Sequence, residues 1–137
     1  FIYKAVEKMD PYEIWGNGQQ ERDFTYVEDI VDGTMLCAEK ISDMTPINLG
    51  TGVRYKMTDV VQMVFKILGW TPKKISFDTS KPTGAVSRAL DNSLAKELLG
   101  WEPRFSLQEG LKKTIEWYSK NHKRQGHVDE SSLLEHN

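Results

Sequence analysis

The stretch that decides the fold is Glu13-Ile14-Trp15-Gly16-Asn17-Gly18-Gln19-Gln20-Glu21-Arg22-Asp23-Phe24-Thr25-Tyr26-Val27-Glu28-Asp29-Ile30. Glu13 to Trp15 is a short strand candidate, and Gly16-Asn17-Gly18 is the turn that closes it. Arg22 and an aromatic, Phe24, follow. From there Phe24, Val27, Ile30, Val31, Met35 and Ala38 recur at intervals of three and four, which predicts a helix through about Lys40. Gly33 inside that helix costs roughly 1 kcal/mol against Ala, so it is expected to permit close packing. Glu28 and Asp29 read as first-turn residues favoured by the helix dipole.

Working outward, the pattern alternates. Before the stretch, Ile2, Ala5, Val6 and Met9 fall at helical spacing. The chain opens at Phe1 in mid-pattern and is expected to be incomplete there. After it, Pro46-Ile47-Asn48-Leu49-Gly50 reads as a buried strand leaving into Thr51-Gly52. Thr58 is expected to cap the next helix, with Asp59 in its first turn and Val60, Val61, Val64, Phe65 and Leu68 on its buried face. Ile75 to Phe77 is a third strand candidate. Asp91 or Ser93 starts a short helix, Leu94 to Leu99. Ser106 and Glu109 form a capping box ahead of the last helix, whose inner side carries Leu107, Leu111, Thr114, Ile115 and Tyr118. Leu68-Gly69-Trp70-Thr71-Pro72 and Leu99-Gly100-Trp101-Glu102-Pro103 both read as helices stopped by a left-handed glycine.

Composition removes several function classes. The 137 residues are 39% hydrophobic and 28% charged with a formal net charge of -2, so no basic excess draws in nucleic acid or an anionic membrane. No apolar run approaches the roughly 18 residues of a membrane helix, and a cytoplasmic home is expected. Cys37 is alone, so neither an internal disulfide nor a cysteine-built metal site is available. The three histidines, His122, His127 and His136, lie in a polar tail beginning near Lys120, which disfavours Ser-His or Cys-His catalysis. No metal cluster has ligand spacing. Gly16-Asn17-Gly18 and Gly50-Thr51-Gly52 each lack the third glycine of a dinucleotide loop.

Four blocks carry a family resemblance. Gly16 to Asp29 resembles G-x-G-x-x-x-R-[DE]-[FW]-x-[YH]-V-x-D, a motif of extended short-chain dehydrogenase/reductase proteins acting on nucleotide sugars. Ile47-Asn48-Leu49-Gly50-Thr51-Gly52 resembles the family's N-[IL]-G-x-G strand and turn, and Ser80-Lys81-Pro82-Thr83-Gly84 its [RK]-P-x-G loop. Asp91 to Pro103 resembles its closing D-x-[ST]-x-A-x-x-x-L-G-W-x-P. The Phe77 to Gly84 run is most similar to the GDP-fucose synthase branch, and the Arg22 block fits UDP-glucose 4-epimerase types equally.

This resemblance implies an α/β fold: the small C-terminal, substrate-binding part of a Rossmann-type NAD-dependent epimerase/dehydratase, with about four helices on a short mixed sheet. It spans residues 1–119, with 120–137 the polar tail. It implies that Arg22 grips the diphosphate of a nucleotide sugar and that Lys81 is a second cation. It places Trp15 against the nucleotide, with Asn48 a polar contact and Arg88 a further cation. From the residues alone, Arg22 reads as a surface partner of Asp23 or Glu28. Full members carry NAD or NADP on a glycine fingerprint and act through a Tyr-x-x-x-Lys pair; Tyr3, Tyr12, Tyr26, Tyr55 and Tyr118 have no Lys four positions on. The chain alone is therefore expected to hold no cofactor and to be catalytically inactive. A homo-oligomer through an exposed sheet edge or swapped helix is expected. The competing reading is a non-catalytic binding or assembly module that kept the fold and lost the sugar site.

Overall fold

The computed structural model describes residues 1–122. It contains α1 (Ile2–Val6), β1 (Tyr12–Trp15), β2 (Glu21–Arg22), α2 (Val27–Lys40), β3 (Tyr55–Lys56) and α3 (Met57–Leu68). These are followed by β4 (Ile75–Asp78), β5 (Ser87–Arg88), a π-helical turn over Ala95–Leu99, and α4 (Leu107–His122). The expected α/β architecture holds, with five helical segments rather than about four among the described residues. Its strands form two small sheets. β1 pairs with β4 in parallel, Tyr12 opposite Ile75 and Trp15 opposite Asp78. The other sheet is mixed, in the order β3-β2-β5. Of the polar tail, Lys120 to His122 belong to α4; the rest, with His127 and His136, lies outside the described residues. None of the described helices is long and apolar enough to cross a membrane.

Two apolar clusters hold these elements. In the first, α3 turns Val61, Val64 and Phe65 onto Tyr12 and Ile14 of β1, Ala5 of α1 and Ile115 of α4. The alternation along β1 makes this possible: Tyr12 and Ile14 face the core, while Glu13 and Trp15 face away. Tyr12 meets Phe65 edge-on at 4.9 Å between ring centres. In the second cluster Ala95, Leu99 and Trp101 pack against Leu36, Cys37 and Ile41 of α2 and against Ile47 and Leu49.

Several local expectations need correction. α2 starts at Val27, not Phe24, and its fully buried positions are Asp29 and Gly33. Val27, Val31 and Met35 are each more than half exposed. The inward face is thus set by where Trp101 and Leu49 approach. A Cβ on Gly33 would stand 2.8 Å from Leu49 and 2.9 Å from the Trp101 indole nitrogen. Pro46 to Gly50 is no hydrogen-bonded strand among the described residues. It keeps a strand's alternation, with Ile47 and Leu49 half-buried and Pro46 and Asn48 exposed, but no neighbour pairs its backbone. Thr58 does not cap α3; Lys56 is the N-cap and makes no side-chain capping bond. Carbonyls replace the cap: the Met57 and Thr58 N–H groups donate to Gln20 and Gly18 at 3.1 Å each.

Candidate functional site: a cleft between Trp15 and Arg22

The outer face of β1 is the floor of a cleft of about 420 Å³, bounded by Phe1, Lys4, Glu13, Trp15, Arg22 and Thr83 among others. Its size lies within the range of small-molecule sites. Trp15 is 50% exposed, so it is not core packing. Its indole N–H donates to Glu13 Oε1 at 3.1 Å. Lys4 reaches across from α1, donating to the Glu13 carbonyl at 3.1 Å and to Oε1 at 3.4 Å. Lys81 Nζ stands 5.8 Å from the centre of the Trp15 ring, a cation–π distance.

Arg22 projects from β2. Its Nη1 donates to the carbonyls of Glu21 and Ala85, both at 2.7 Å, and its Nη2 to the Thr83 carbonyl at 2.5 Å. Among the described residues no carboxylate pairs with it, and the surface ion pair with Asp23 or Glu28 is not formed. A guanidinium has five N–H donors. Three are engaged here, which leaves Nε–H and one N–H on Nη2. The segment carrying Lys81, Thr83 and Ala85 is thereby drawn onto the glycine turn. Gly16 has φ 76°, and a Cβ there would meet the Thr83 methyl at 2.3 Å. Only a glycine admits this approach.

Asp23, the next residue, orders the surroundings. Its carboxylate accepts from the N–H groups of Thr51 (3.2 Å), Gly52 (2.9 Å) and Leu90 (3.3 Å), and from the Thr51 hydroxyl. It therefore ties β2 to the Thr51-Gly52 turn and to Leu90, two residues past β5. Arg88 on β5 is the direct cross-strand neighbour of Arg22 and is exposed. Neighbours in register project from the same face of a sheet, so two guanidinium-bearing positions adjoin. Asn48 is exposed on the Pro46 to Leu49 segment and does not line the cleft. Lys81 lines an adjoining depression that shares Gln20 and Thr83 with the cleft. Of the five sequence-derived positions, the structure brings Arg22 and Trp15 to one cleft, with Lys81 in the adjoining depression, while Arg88 neighbours Arg22 in the sheet and lines neither.

A larger apolar cavity, about 720 Å³, lies between α1, α3 and α4 against Phe24, Val60, Val64, Leu111 and Trp117. No charged side chain lines it, so it offers nothing to a diphosphate. The two glycine turns already spend their backbone groups within the chain. Gly16 to Gly18 joins strand to strand, and its Gly18 carbonyl points at the α3 N-terminus where a pyrophosphate would sit. The N–H groups of Thr51 and Gly52 are spent on Asp23. Burial pushes the Tyr12 pKa up to about 12, and those of Tyr26 and Tyr118 also move upward, first through desolvation. Among the described residues no group of three His, Cys, Asp or Glu side chains could hold a metal ion.

Sequence reasoning missed Glu13 and Asp23 as organisers. The i, i+2 spacing of Glu13 and Trp15 along a strand was the available signal for the first. For Asp23 no local signal exists, because its partners are 28 to 67 positions away.

Comparison with known proteins gives a consistent answer. Residues 1–114 match the family model described as GDP-mannose 4,6 dehydratase. The putative GDP-L-fucose synthase 2 of Arabidopsis thaliana is 33% identical over 88% of this chain and 36% of its own length. The UDP-glucose 4-epimerase of Thermotoga maritima, solved with UDP-glucose, is 32% identical and superimposes with a TM-score of 0.81 over 88% of this chain and 38% of that one. The UDP-glucuronic acid 4-epimerase of Bacillus cereus, solved with UDP-glucuronic acid and NAD, is 30% identical with a TM-score of 0.77, again over 88% and 38%. The chain thus spans under two fifths of the length of these relatives. On this footing, and on the order of its motifs, the chain belongs to the GDP-mannose 4,6 dehydratase family of NAD-dependent epimerase/dehydratase nucleotide-sugar enzymes.

Proposed function

We propose that this chain is the substrate-binding part of an NAD-dependent nucleotide-sugar epimerase, dehydratase or reductase, and that the Trp15–Arg22 cleft receives the nucleoside diphosphate. One observation carries the reading: Arg22 is held by backbone carbonyls rather than by a carboxylate. Its charge is therefore not neutralised, and two of its N–H donors are left for an anion. A phosphate oxygen pair suits a guanidinium fork, Lys81 adds positive charge in the adjoining depression, and Arg88 adds it beside Arg22 in the sheet. Trp15 offers an exposed aromatic face to the base.

The Tyr-x-x-x-Lys pair and the glycine fingerprint are not in this sequence, and its glycine turns do not seat a pyrophosphate. We therefore read the chain as inactive by itself, with cofactor and proton transfer supplied by the remaining three fifths of a full-length relative. A cytoplasmic site of action goes with this reading. The unpaired Pro46 to Leu49 segment and the exposed Val27, Val31 and Met35 are apolar surface that we expect to be covered by self-association. A sedimentation run giving only monomer at high concentration would count against that last point.

The site is tested by calorimetric titration of the chain with GDP, UDP and dTDP. Binding of at least one, weakened about tenfold or more by Arg22→Ala, is expected, since hydrogen bonds to charged groups contribute about 1.5–3 kcal/mol. Equal affinity in the variant removes Arg22 from the site.

A further inference from the structure

The segment from Lys81 to Ala85 is fixed at its two ends and lightly held between them. At one end Asp78 Oδ1 accepts from the Ser80 N–H at 3.0 Å and from the Ser80 hydroxyl at 2.6 Å. At the other, the Glu21 N–H donates to the Val86 carbonyl at 2.9 Å, and Ser87 and Arg88 pair with Glu21 and Arg22 of β2. Among the described residues the Pro82 to Ala85 backbone takes hydrogen bonds only from Arg22, at the Thr83 and Ala85 carbonyls. Lys81, Pro82, Gly84 and Ala85 are exposed, and Thr83 is half-buried.

The Arg22 guanidinium thus has two tasks. Nη1 and Nη2 each donate to a carbonyl of the segment, and Nη1 spends its second N–H on the Glu21 carbonyl. Nε–H and the second N–H of Nη2 are left for an anion. A guanidinium is one rigid plane, so an anion taken there fixes the same group that holds the segment. Two further contacts leave room for movement. Lys81 Nζ rests 5.8 Å from the centre of the Trp15 ring, a weaker contact than a charge-assisted hydrogen bond to phosphate. Gln20 Oε1 is buried without a hydrogen-bond partner among the described groups, while Gln20 Nε2 donates to the Trp15 carbonyl at 3.0 Å. That Oε1 stands 3.5 Å from the point where a Cβ on Gly16 would lie, and the Thr83 methyl stands 2.3 Å from the same point. A turn of Thr83 about its Cα–Cβ bond exchanges methyl for hydroxyl there and gives Gln20 the donor that it lacks.

We propose that residues Lys81 to Ala85 form a strap that closes on the cleft when an anion docks on Arg22, with Arg22 as its latch. The inference rests on the reading of the cleft as a diphosphate site. Pro82 and Thr83 line the cleft, and Lys81 and Thr83 line the depression beside it, so the strap is the wall between the two. An anion on Arg22 immobilises the guanidinium and hence the two carbonyls that it grips. It draws Lys81 from the Trp15 face towards the added charge and seats Thr83 against Gln20. The two ends of the strap stay where Asp78 and β2 hold them.

The test follows amide hydrogen exchange of Lys81, Thr83, Gly84 and Ala85 in the chain, with and without inorganic pyrophosphate. Occupancy is read from the ³¹P resonance of the same samples. Saturating pyrophosphate is expected to slow these four amides about fivefold or more in wild type and to leave Ile75 to Asp78 of β4 unchanged. Arg22→Lys keeps a positive charge as a compact ammonium without the planar fork. It is expected to bind pyrophosphate more weakly and, when saturated, to show strap exchange at its ligand-free rate. The β4 amides report whether this variant is folded, and the wild-type comparison needs no variant. Unchanged strap exchange in saturated wild type overturns the strap and leaves the diphosphate reading standing, because binding is read separately. Equal slowing in Arg22→Lys overturns the latch. A wild-type ³¹P resonance that never moves overturns both.

Discussion

Two regions share one five-residue pattern and use it differently. Leu68-Gly69-Trp70-Thr71-Pro72 ends α3, and Leu99-Gly100-Trp101-Glu102-Pro103 ends the π-helical turn. Both glycines are left-handed, at φ 62° and 69°. Both stops close with a pair of bonds, each displaced by one position in the second. Gly69 N–H donates to Lys66 and Trp70 N–H to Phe65, three and five residues back. Gly100 N–H donates to Lys96 and Trp101 N–H to Ala95, four and six back. A π-helix holds one more residue per turn, so the same cap is drawn one residue longer.

The indoles part company. Trp70 is half-buried and meets Phe65 edge-on at 5.6 Å, completing the helix that it ends. Trp101 is 4% exposed, and its N–H donates to the Asp29 carbonyl of α2 at 3.0 Å. The Asp29 carboxylate then accepts the N–H groups of Arg104 and Phe105, each at 3.1 Å. Arg104 also pairs with Asp29 and Asp32. The first stop is local; the second is a joint between α2, its own helix and the start of α4. A sequence pattern therefore specifies the stop, and the tertiary partner decides what the stop does.

The largest expected effect separates the two directly. Trp101→Ala should cost about 4 kcal/mol in denaturant unfolding, as for a fully buried aromatic, and Trp70→Ala about half of that. Equal losses would break the distinction. Asp29→Ala comes next, at roughly 3 kcal/mol, because two backbone N–H groups and an indole-bearing loop lose their anchor. The change should shift Trp101 emission and leave the first stop unaffected. If Asp29→Ala is neutral, the joint is not held by that carboxylate.

The glycines should behave alike where the tryptophans do not. Nothing lies within 4 Å of a Cβ built on Gly69 or Gly100, so only the backbone penalty remains. Gly69→Ala and Gly100→Ala should each cost about 1 kcal/mol. A much larger loss at one would mean a hidden contact. The smallest effect lies just past the second stop. Ser106 donates to Glu109 through both its N–H and its hydroxyl, and Glu109 N–H donates back to Ser106 Oγ. These bonds, the hydroxyl first, lower the Glu109 pKa. A lowered carboxylate pKa contributes stability above the ordinary glutamate range and loses it as pH falls through the lowered value. Wild type should therefore lose stability faster than Glu109→Gln as pH drops through that window, in denaturant midpoints taken at successive pH values.

These differences also mark what the sequence made legible. Features encoded within a few residues were readable: the two stops, the Ser106–Glu109 box, β1, β4 and the α3 face. Features set by distant partners were not. The α2 face was misread because Val27, Val31 and Met35 keep apolar spacing while Asp29 and Gly33 meet Trp101 and Leu49. Thr58 has no capping role because α3 starts one residue earlier and the Gln20 and Gly18 carbonyls accept the Met57 and Thr58 N–H groups. Pro46 to Leu49 carries a strand's alternation without a strand's neighbour. At the candidate cleft, Arg22 and Trp15 are the positions the motif order singles out. The carbonyl cradle of Arg22 was not readable, since Thr83 and Ala85 lie more than sixty positions on.

The most direct test of the central claim follows the phosphorus nuclei of a nucleoside diphosphate added to the chain. A diphosphate held by Arg22 predicts shifted and broadened ³¹P resonances with wild type, returning to the free-ligand positions with Arg22→Ala and retained in part with Arg22→Lys. Resonances that shift identically with wild type and Arg22→Ala would contradict it.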